Sequence, residues 1–211
     1  MPRILLRMVT VRYLSNCYVI GHPDGIRAVV VDPGSSDMRQ VTSLIERECL
    51  SVDFIMLTHE HFDHISGLNS LRAQFSPKVV ASRECSARLG DPRMNFSLYA
   101  MMDGKGIACS PAEIEIYNEV VTMNWEGVDI TFMETPGHSP GSMCISVGNL
   151  LFSGDTIIPG KKTVVRLPES SRESAVRSLD TVFARYDSST LLCPGHGEVV
   201  SLGSIDRSKL L

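Results

Sequence analysis

The residues most able to do chemistry lie in one short segment, where His59, His61, Asp63 and His64 place three imidazoles and a carboxylate within six residues. The apolar run at residues 54–57 predicts a short buried strand, so the cluster follows the carboxyl end of that strand. Side chains two apart in an extended segment point the same way, so His59 and His61 can face one ion. Asp63 and His64 can turn toward a second position. Imidazoles this dense rarely serve a hydrophobic core, and the segment therefore predicts a metal site.

Three further polar side chains follow predicted strands in turns that glycine or proline marks, at His138, Asp155 and His196. Any one of them alone would be weak evidence, because a single aspartate in such a turn is more often a helix cap and a single histidine a surface residue. Together with the first cluster they supply five imidazoles and two carboxylates. That set suits borderline divalent ions such as zinc, and a carboxylate can bridge two ions through its two oxygens.

Apolar periodicity places these side chains at strand ends. The predicted strands are residues 5–11, 18–20, 28–31, 54–57, 79–81, 120–123, 128–133, 142–147, 150–153 and 190–193. Predicted helices comprise one of about ten residues through Val41, Leu44 and Ile45, then residues 65–74 and 84–89, then one opened by a capping box from Ser170 to Glu173. Helices against two sheet layers are the expected architecture.

Residues 90–117 show weak periodicity, since glycine and proline interrupt any long element. We expect a covering loop here, with one helical turn where Ser110 to Glu113 has capping-box spacing. The apolar side chains of this loop fit two interpretations equally, the filling of a small sub-core or the lining of a substrate site. They are Met94, Phe96, Tyr99, Met101 and Met102.

The composition of the chain fits one domain spanning residues 1–211, with 43% hydrophobic and 21% charged residues. A net charge of −4 offers no broad attraction to nucleic acid, so no nucleic-acid partner is expected. We expect no signal peptide and no membrane span, because no apolar run is long enough. The six cysteines form no C-x-x-C pair, which predicts reduced thiols in a cytoplasmic protein. The sequence does not indicate an oligomeric state.

The motif order, H-x-H-x-D-H followed by separate histidine, aspartate and histidine turns, resembles the metallo-β-lactamase fold superfamily over nearly the whole chain. The resemblance implies an α/β (α+β) fold, a four-layer αββα sandwich in a single domain, with the site at one edge of the two sheets. It also implies two metal ions, zinc first, with iron or manganese as alternatives. In the family's pattern the first ion takes His59, His61 and His138, the second takes Asp63, His64 and His196, and Asp155 bridges both.

This ligand set indicates a reaction. Two cations about 3.5–4 Å apart can share a water, lower its pKa toward neutrality and present hydroxide to an electrophilic carbonyl or phosphorus. A metal can then stabilise the resulting oxyanion as a Lewis acid. Asp63 can orient the nucleophile by accepting a hydrogen bond from it, so we expect Asp63 and Asp155 to have catalytic roles. The expected activity is metal-dependent hydrolysis of a small-molecule substrate.

Within the superfamily the chain is most similar to the glyoxalase II-like hydrolases, through Thr135-Pro136-Gly137-His138 and Ser153-Gly154-Asp155-Thr156. That similarity favours a thioester substrate. It also suggests that Lys161 and Lys162 contact the substrate. We expect a further substrate contact from Tyr99, in the covering loop.

Three other functions stay open. A lactone or other ester hydrolase would use the same motifs. A persulfide dioxygenase with one iron is disfavoured, because Lys161-Lys162-Thr163-Val164 does not reproduce that group's Gly-Arg-Thr-Asp segment. A non-enzymatic binding protein on this fold is disfavoured as well, since we would expect it to have lost one or more ligands.

Overall fold

Two six-stranded sheets form the centre of the fold in the computed structural model, which describes residues 1–9, 14–101 and 104–211. The first sheet runs in chain order through β1 (Arg3–Val9), β2 (Asn16–Gly21), β3 (Arg27–Val31), β4 (Ser51–Met56), β5 (Lys78–Ser82) and β6 (Ile114–Ile116). The second comprises β7 (Val120–Trp125), β8 (Val128–Glu134), β9 (Met143–Val147), β10 (Leu150–Gly154), β11 (Leu191–Pro194) and β12 (Val200–Ser201). The first three strands pair antiparallel.

Helices cover the outer faces of both sheets. They are α1 (Arg39–Arg47), α2 (Phe62–Ile65), α3 (Leu68–Phe75), α4 (Arg83–Arg88), α5 (Ser97–Ala100) and α6 (Arg172–Arg185). Among the described residues, none of these helices combines the length and the hydropathy needed to cross a bilayer.

Alternation along β3 shows how the sequence builds four layers. Val29 and Val31 lie in the core between the two sheets, whereas Ala28 and Val30 lie in the core that α1 and α3 cover. Successive side chains of a strand point to opposite faces, so a strand buried on both faces reads as a continuous apolar run. On the second sheet, the outward-facing Leu151 packs with Leu179 of α6. These layers confirm the αββα sandwich.

The covering loop differs from its prediction. Residues 110–113 form no helical turn, because the Glu113 carboxylate accepts hydrogen bonds from the Arg72 guanidinium at 3.0 Å and from the Val79 N–H at 2.7 Å. These contacts hold Glu113 beside β5. The helical turn of this loop is α5, and its last residues form β6.

Residues 10 and 11 of the predicted first strand, and Met102, lie outside the described residues.

Two predicted helix boundaries also move. The helix predicted at residues 65–74 is divided into α2 and α3, because the Gly67 N–H donates to the Pro33 carbonyl oxygen at 2.7 Å and not to a carbonyl of its own helix. The cap of α6 is Ser171, whose hydroxyl accepts a hydrogen bond from the Ser174 N–H at 3.2 Å, and not Ser170.

The cysteines give a first testable prediction. Five of the six thiols are buried and Cys49 is exposed. Burial raises the pKa of Cys109 and of Cys144 to about 11, and only the thiolate is nucleophilic. We therefore expect one thiol per chain to react quickly with a disulfide reagent at pH 8, and the rest only after unfolding. Cys49→Ser should abolish the fast phase, and a second fast thiol in the native protein would contradict the buried placement.

Candidate metal centre

Seven side chains that the sequence singles out meet at one edge of the two sheets. They are His59 and His61 after β4, Asp63 and His64 in α2, His138 after β8, Asp155 after β10 and His196 after β11. Ligand atoms lie within 4.8 Å of one another in three overlapping sets: His59, His61 and His138; His59, His64 and Asp155; Asp63, His64 and His196. The carboxyl ends of strands from both sheets thus deliver the whole cluster to one place.

The first set is a group of three buried imidazoles. His138 Nε2 lies 3.0 Å from His61 Nδ1, and the His59 ring centroid lies 4.6 Å from that of His61. Burial and the neighbouring His138 lower the pKa of His61 to about 3, and burial with His64 places the pKa of His59 well below its usual value. Both rings are therefore neutral at pH 7, which is the form that binds a metal.

Asp155 lies between the two sets of imidazoles. Its Oδ1 is 3.5 Å from His64 Nε2, while its Oδ2 is 3.6 Å from His138 Nε2 and 3.5 Å from His196 Nε2. Burial opposes ionisation, but the hydrogen bond with His196 and the charge of His64 hold the Asp155 pKa well below its usual value. The ionised Asp155 carboxylate is thus within reach of imidazoles from both groups, as a ligand shared by two ions would be.

The third set joins the Asp63 carboxylate to the imidazoles of His64 and His196. Asp63 Oδ2 lies 3.3 Å from His196 Nε2 and 3.8 Å from His64 Nε2. Burial alone would lower the pKa of His64, but Asp63 and Asp32 raise it to about 9. The pKa of His196 is likewise raised, to about 10, because hydrogen bonds with Asp155 and Asp63 outweigh its burial. A divalent cation bound here would displace these protons.

Backbone carbonyls fix the orientation of two imidazoles. His138 Nδ1 lies 2.9 Å from the Val164 carbonyl oxygen, and His196 Nδ1 lies 3.0 Å from the Leu14 carbonyl oxygen. A carbonyl only accepts hydrogen bonds, so each Nδ1 carries a proton, and Nε2 is the nitrogen that each ring can offer to a metal. This arrangement is the usual support of a metal-binding histidine.

Asp32 is a positioning residue that the sequence analysis did not single out. Its carboxylate accepts hydrogen bonds from the Thr58 N–H at 2.7 Å, the Thr58 hydroxyl at 2.6 Å and His64 Nδ1 at 2.9 Å. The Thr58 hydroxyl in turn lies 3.1 Å from His59 Nδ1. One buried carboxylate thereby orients a ring from each set. Asp32 has the same sequence feature as Asp155, a carboxylate placed directly after a buried strand, and this feature could have identified it.

Glu60 is a second residue that the sequence did not single out. Its buried carboxylate accepts a hydrogen bond from the Ser139 hydroxyl at 3.0 Å and lies 3.8 Å from Arg88 Nε. Burial raises the pKa of Glu60 to about 7, against the opposing effects of Ser139 and Arg88. The side chain joins the first motif to the turn that carries His138 and to α4.

The orphaned polar atoms of the cluster test whether a metal fits. His59 Nε2, His64 Nε2 and Asp155 Oδ1 are buried and have no hydrogen-bond partner among residues 1–9, 14–101 and 104–211. Buried polar atoms are normally satisfied, and leaving them unpaired costs free energy. All three point into the same cluster of nitrogen and oxygen donors. Divalent cations coordinated there would satisfy them, so the residues present fit metal binding.

A cavity of about 730 Å³ opens from the cluster. His61, Asp63, His138 and Asp155 lie at its base, and Tyr99 lines it with 72% of its surface exposed. The predicted lysines are placed elsewhere: neither is among the lining residues, and Lys162 Nζ donates to the Leu211 carbonyl oxygen at 3.2 Å. Contact of Lys161 and Lys162 with a substrate stays a prediction.

Residues 10–196 match the family model of the metallo-beta-lactamase superfamily. The chain belongs to this superfamily. Among its relatives, a probable metallo-hydrolase of Bacillus subtilis, YqgX, is 28% identical over 87% of this chain and 85% of its own length. A hydroxyacylglutathione hydrolase of Chromohalobacter salexigens is 30% identical over 81% of this chain and 57% of its own length.

Solved structures agree with the fold. The BLEG-1 B3 metallo-beta-lactamase is similar with a TM-score of 0.85 and 28% identity, over 96% of this chain and 95% of that chain. TTHA1623, solved in a di-iron-bound form, is similar with a TM-score of 0.78 and 25% identity, over 94% of this chain and 96% of that chain.

Asp32 gives a prediction about this superfamily site. Asp32→Asn removes the charge that holds His64 and one of the acceptors that hold Thr58, so we expect zinc affinity to fall about 10–100-fold. Competition with a chromophoric chelator measures the change. Asp37→Asn is the matched control, because Asp37 is an exposed carboxylate whose side chain pairs with Arg39. Equal zinc affinity in Asp32→Asn and the wild type would show that Asp32 does not position the ligands.

Proposed function

We propose that the chain is a dinuclear metallohydrolase that cleaves an acyl thioester. One observation carries the proposal: the Asp155 carboxylate lies between the two sets of donors, with Oδ2 near His138 of one set and near His196 of the other. A site for a single ion would need only one of these sets. The support for a thioester is the motif similarity to glyoxalase II-like hydrolases and the relative named a hydroxyacylglutathione hydrolase.

The family pattern would divide the donor set between two ions. His59, His61 and His138 would hold the first, Asp63, His64 and His196 the second, and Asp155 both. The five imidazoles and two carboxylates suit zinc, and the di-iron form of TTHA1623 makes iron the first alternative. Two bound cations supply Lewis acidity and a water whose pKa lies near neutrality.

The side chains of the site supply positioning and proton transfer. Asp63 faces the cavity, and its carboxylate can accept a hydrogen bond from the attacking water and hold its proton. The Phe96 ring lies over that of His61, with 4.8 Å between their centroids, and excludes water from one side of the site. A water-poor wall strengthens the electrostatic interactions of the reacting groups.

The substrate class can be tested with zinc-loaded protein on matched acyl compounds. A thioester, a lactone, a simple ester and a β-lactam form the panel, and the last is included because of the similarity to a B3 metallo-beta-lactamase. We expect the thioester to have the highest kcat/KM, and a chelator to abolish its hydrolysis. Preference for a lactone or β-lactam would mean that this class of compound, and not a thioester, is the substrate. If the iron-loaded protein instead consumes oxygen with glutathione persulfide and no acyl compound is hydrolysed, the hydrolase proposal fails.

A further inference from the structure

The cavity above the metal centre is mainly apolar. Met94, Phe96 and Tyr99 line one side, and Leu167 and Pro168 line another. A volume of about 730 Å³ is that of a pocket for a molecule with many non-hydrogen atoms, since ligand pockets typically span about 300–1,000 Å³. A short polar acyl group would leave most of this wall in contact with water. The lining therefore fits a bulky apolar group next to the reacting carbonyl.

One cation on the cavity lining is uncompensated. Arg93 is exposed, and within the described part of the chain its guanidinium makes no hydrogen bond or ion pair. Glu169 lines the same cavity, but its carboxylate is engaged by Arg88 at 3.4 Å. Arg88 also pairs with Glu84 and lies 3.8 Å from the buried Glu60. The acidic side chain is thus held by a different cation, and Arg93 stays available to a ligand.

Hydrogen bonds of the backbone fix the turn that carries Arg93. The Arg93 N–H donates to the Asp91 carboxylate at 2.8 Å, and the Arg93 carbonyl accepts from the Phe96 N–H at 3.3 Å. Phe96 itself has a positive φ of 62°, a conformation that costs free energy for a bulky residue. The strained residue supports both the ring over His61 and the turn that presents Arg93. The segment is built to put an aromatic wall and a guanidinium over one site.

From these observations we propose that Arg93 is a specificity residue that binds an anionic group of the substrate. The substrate is then an acyl thioester with an apolar acyl chain and, away from the reacting carbonyl, a carboxylate or phosphate that the guanidinium can bind through paired hydrogen bonds. The anion can belong to the far end of the acyl chain or to the thiol carrier. This inference rests on the proposed thioesterase function.

Three thioesters that differ in where they carry negative charge test the proposal on the zinc-loaded protein. Hexanoyl N-acetylcysteamine is neutral, adipoyl N-acetylcysteamine adds a carboxylate at the end of the acyl chain, and hexanoyl glutathione adds anionic groups on the thiol side. We expect one anionic compound to exceed the neutral compound in kcat/KM on the order of tenfold, the effect of a hydrogen bond to a charged group. Which compound is preferred identifies the side that carries the anion.

Substitution then assigns the preference to Arg93. In Arg93→Gln we expect the ratio of anionic to neutral kcat/KM to fall to about one, and in Arg93→Glu below one. A ratio within one protein does not depend on how much of the preparation is folded. Lys78→Gln is the matched control, because it removes one positive charge from an exposed residue outside the cavity lining. It should keep the wild-type ratio.

The same experiment also tests whether the apolar lining of the cavity binds the acyl chain. Lengthening the acyl chain from butanoyl to hexanoyl should raise kcat/KM about fourfold for each methylene that becomes buried.

The outcomes separate the inference from the proposed function. If the wild type hydrolyses none of the thioesters, the proposed function fails. If it hydrolyses all three without preference, or if Arg93→Gln keeps the wild-type preference, the hydrolase stands and the role of Arg93 is refuted.

Discussion

Asp155→Asn is expected to lower kcat/KM for an acyl thioester on the order of a thousandfold. The substitution keeps the shape of the side chain but removes the negative charge between His64, His138 and His196. Metal ions contribute several kcal/mol of charge stabilisation in the transition state, and about 1.4 kcal/mol corresponds to a factor of ten. If Asp155 is the ligand that both ions share, as proposed, its loss should have one of the largest effects of any single substitution.

Zinc content and initial rates, measured on the same preparations, check this expectation. Asp155→Asn should bind less zinc per chain than the wild type. Asp187→Asn is the control, because it replaces an exposed carboxylate outside the cavity lining and should change neither quantity. Wild-type turnover in Asp155→Asn would refute a bridging role.

Gly195→Ala should lower activity about a hundredfold, although it replaces none of the candidate ligands. The added methyl would overlap Asp155 Oδ1 and lie 2.7 Å from His64 Cε1 and 3.0 Å from the Gly154 carbonyl carbon. These contacts are closer than packed atoms allow, so Asp155 or His64 must move. Displacing a reacting group by about 1 Å can reduce a rate about a hundredfold. We also expect a loss of stability of about 1–3 kcal/mol, as for other overpacked sites.

Gly90→Ala is the matched control for this prediction, because a methyl there would meet only the Cys109 carbonyl oxygen, at an ordinary 3.5 Å. Zinc affinity, thioester turnover and thermal unfolding of the two variants should be compared. Normal activity in Gly195→Ala would mean that the close approach of this turn to Asp155 is not needed for function.

Most of the candidate metal ligands could be predicted because they directly follow strands in the sequence, whereas Asp63 and His64 lie in α2. Carboxyl ends of strands that run in the same direction lie at one edge of a sheet, and the resemblance to the metallo-β-lactamase superfamily brought His59, His138 and His196 together across the two sheets. The same logic correctly anticipated the layers, since a run such as Ala28 to Val31 must be covered on both faces.

The supporting residues were harder to predict because their roles depend on contacts distant in sequence. Asp32 meets His64 across 32 positions and Glu60 meets Ser139 across 79, and neither spacing forms a local motif. Distant contacts also explain the wrong prediction at Glu113. The local capping pattern predicts a helical turn there, but the long-range ion pair with Arg72 prevents it. The apolar cavity with Arg93 is likewise assembled from separate segments.

The measurement that tests the central claim most directly is a zinc titration of metal-free protein, followed by both metal content and thioester hydrolysis. We predict saturation at two zinc ions per chain, with hydrolysis appearing as zinc is added and disappearing again with chelator. Hydrolysis that persists in fully metal-free protein, or a chain that binds no zinc at all, would contradict the assignment of this seven-residue cluster as a dinuclear metal centre.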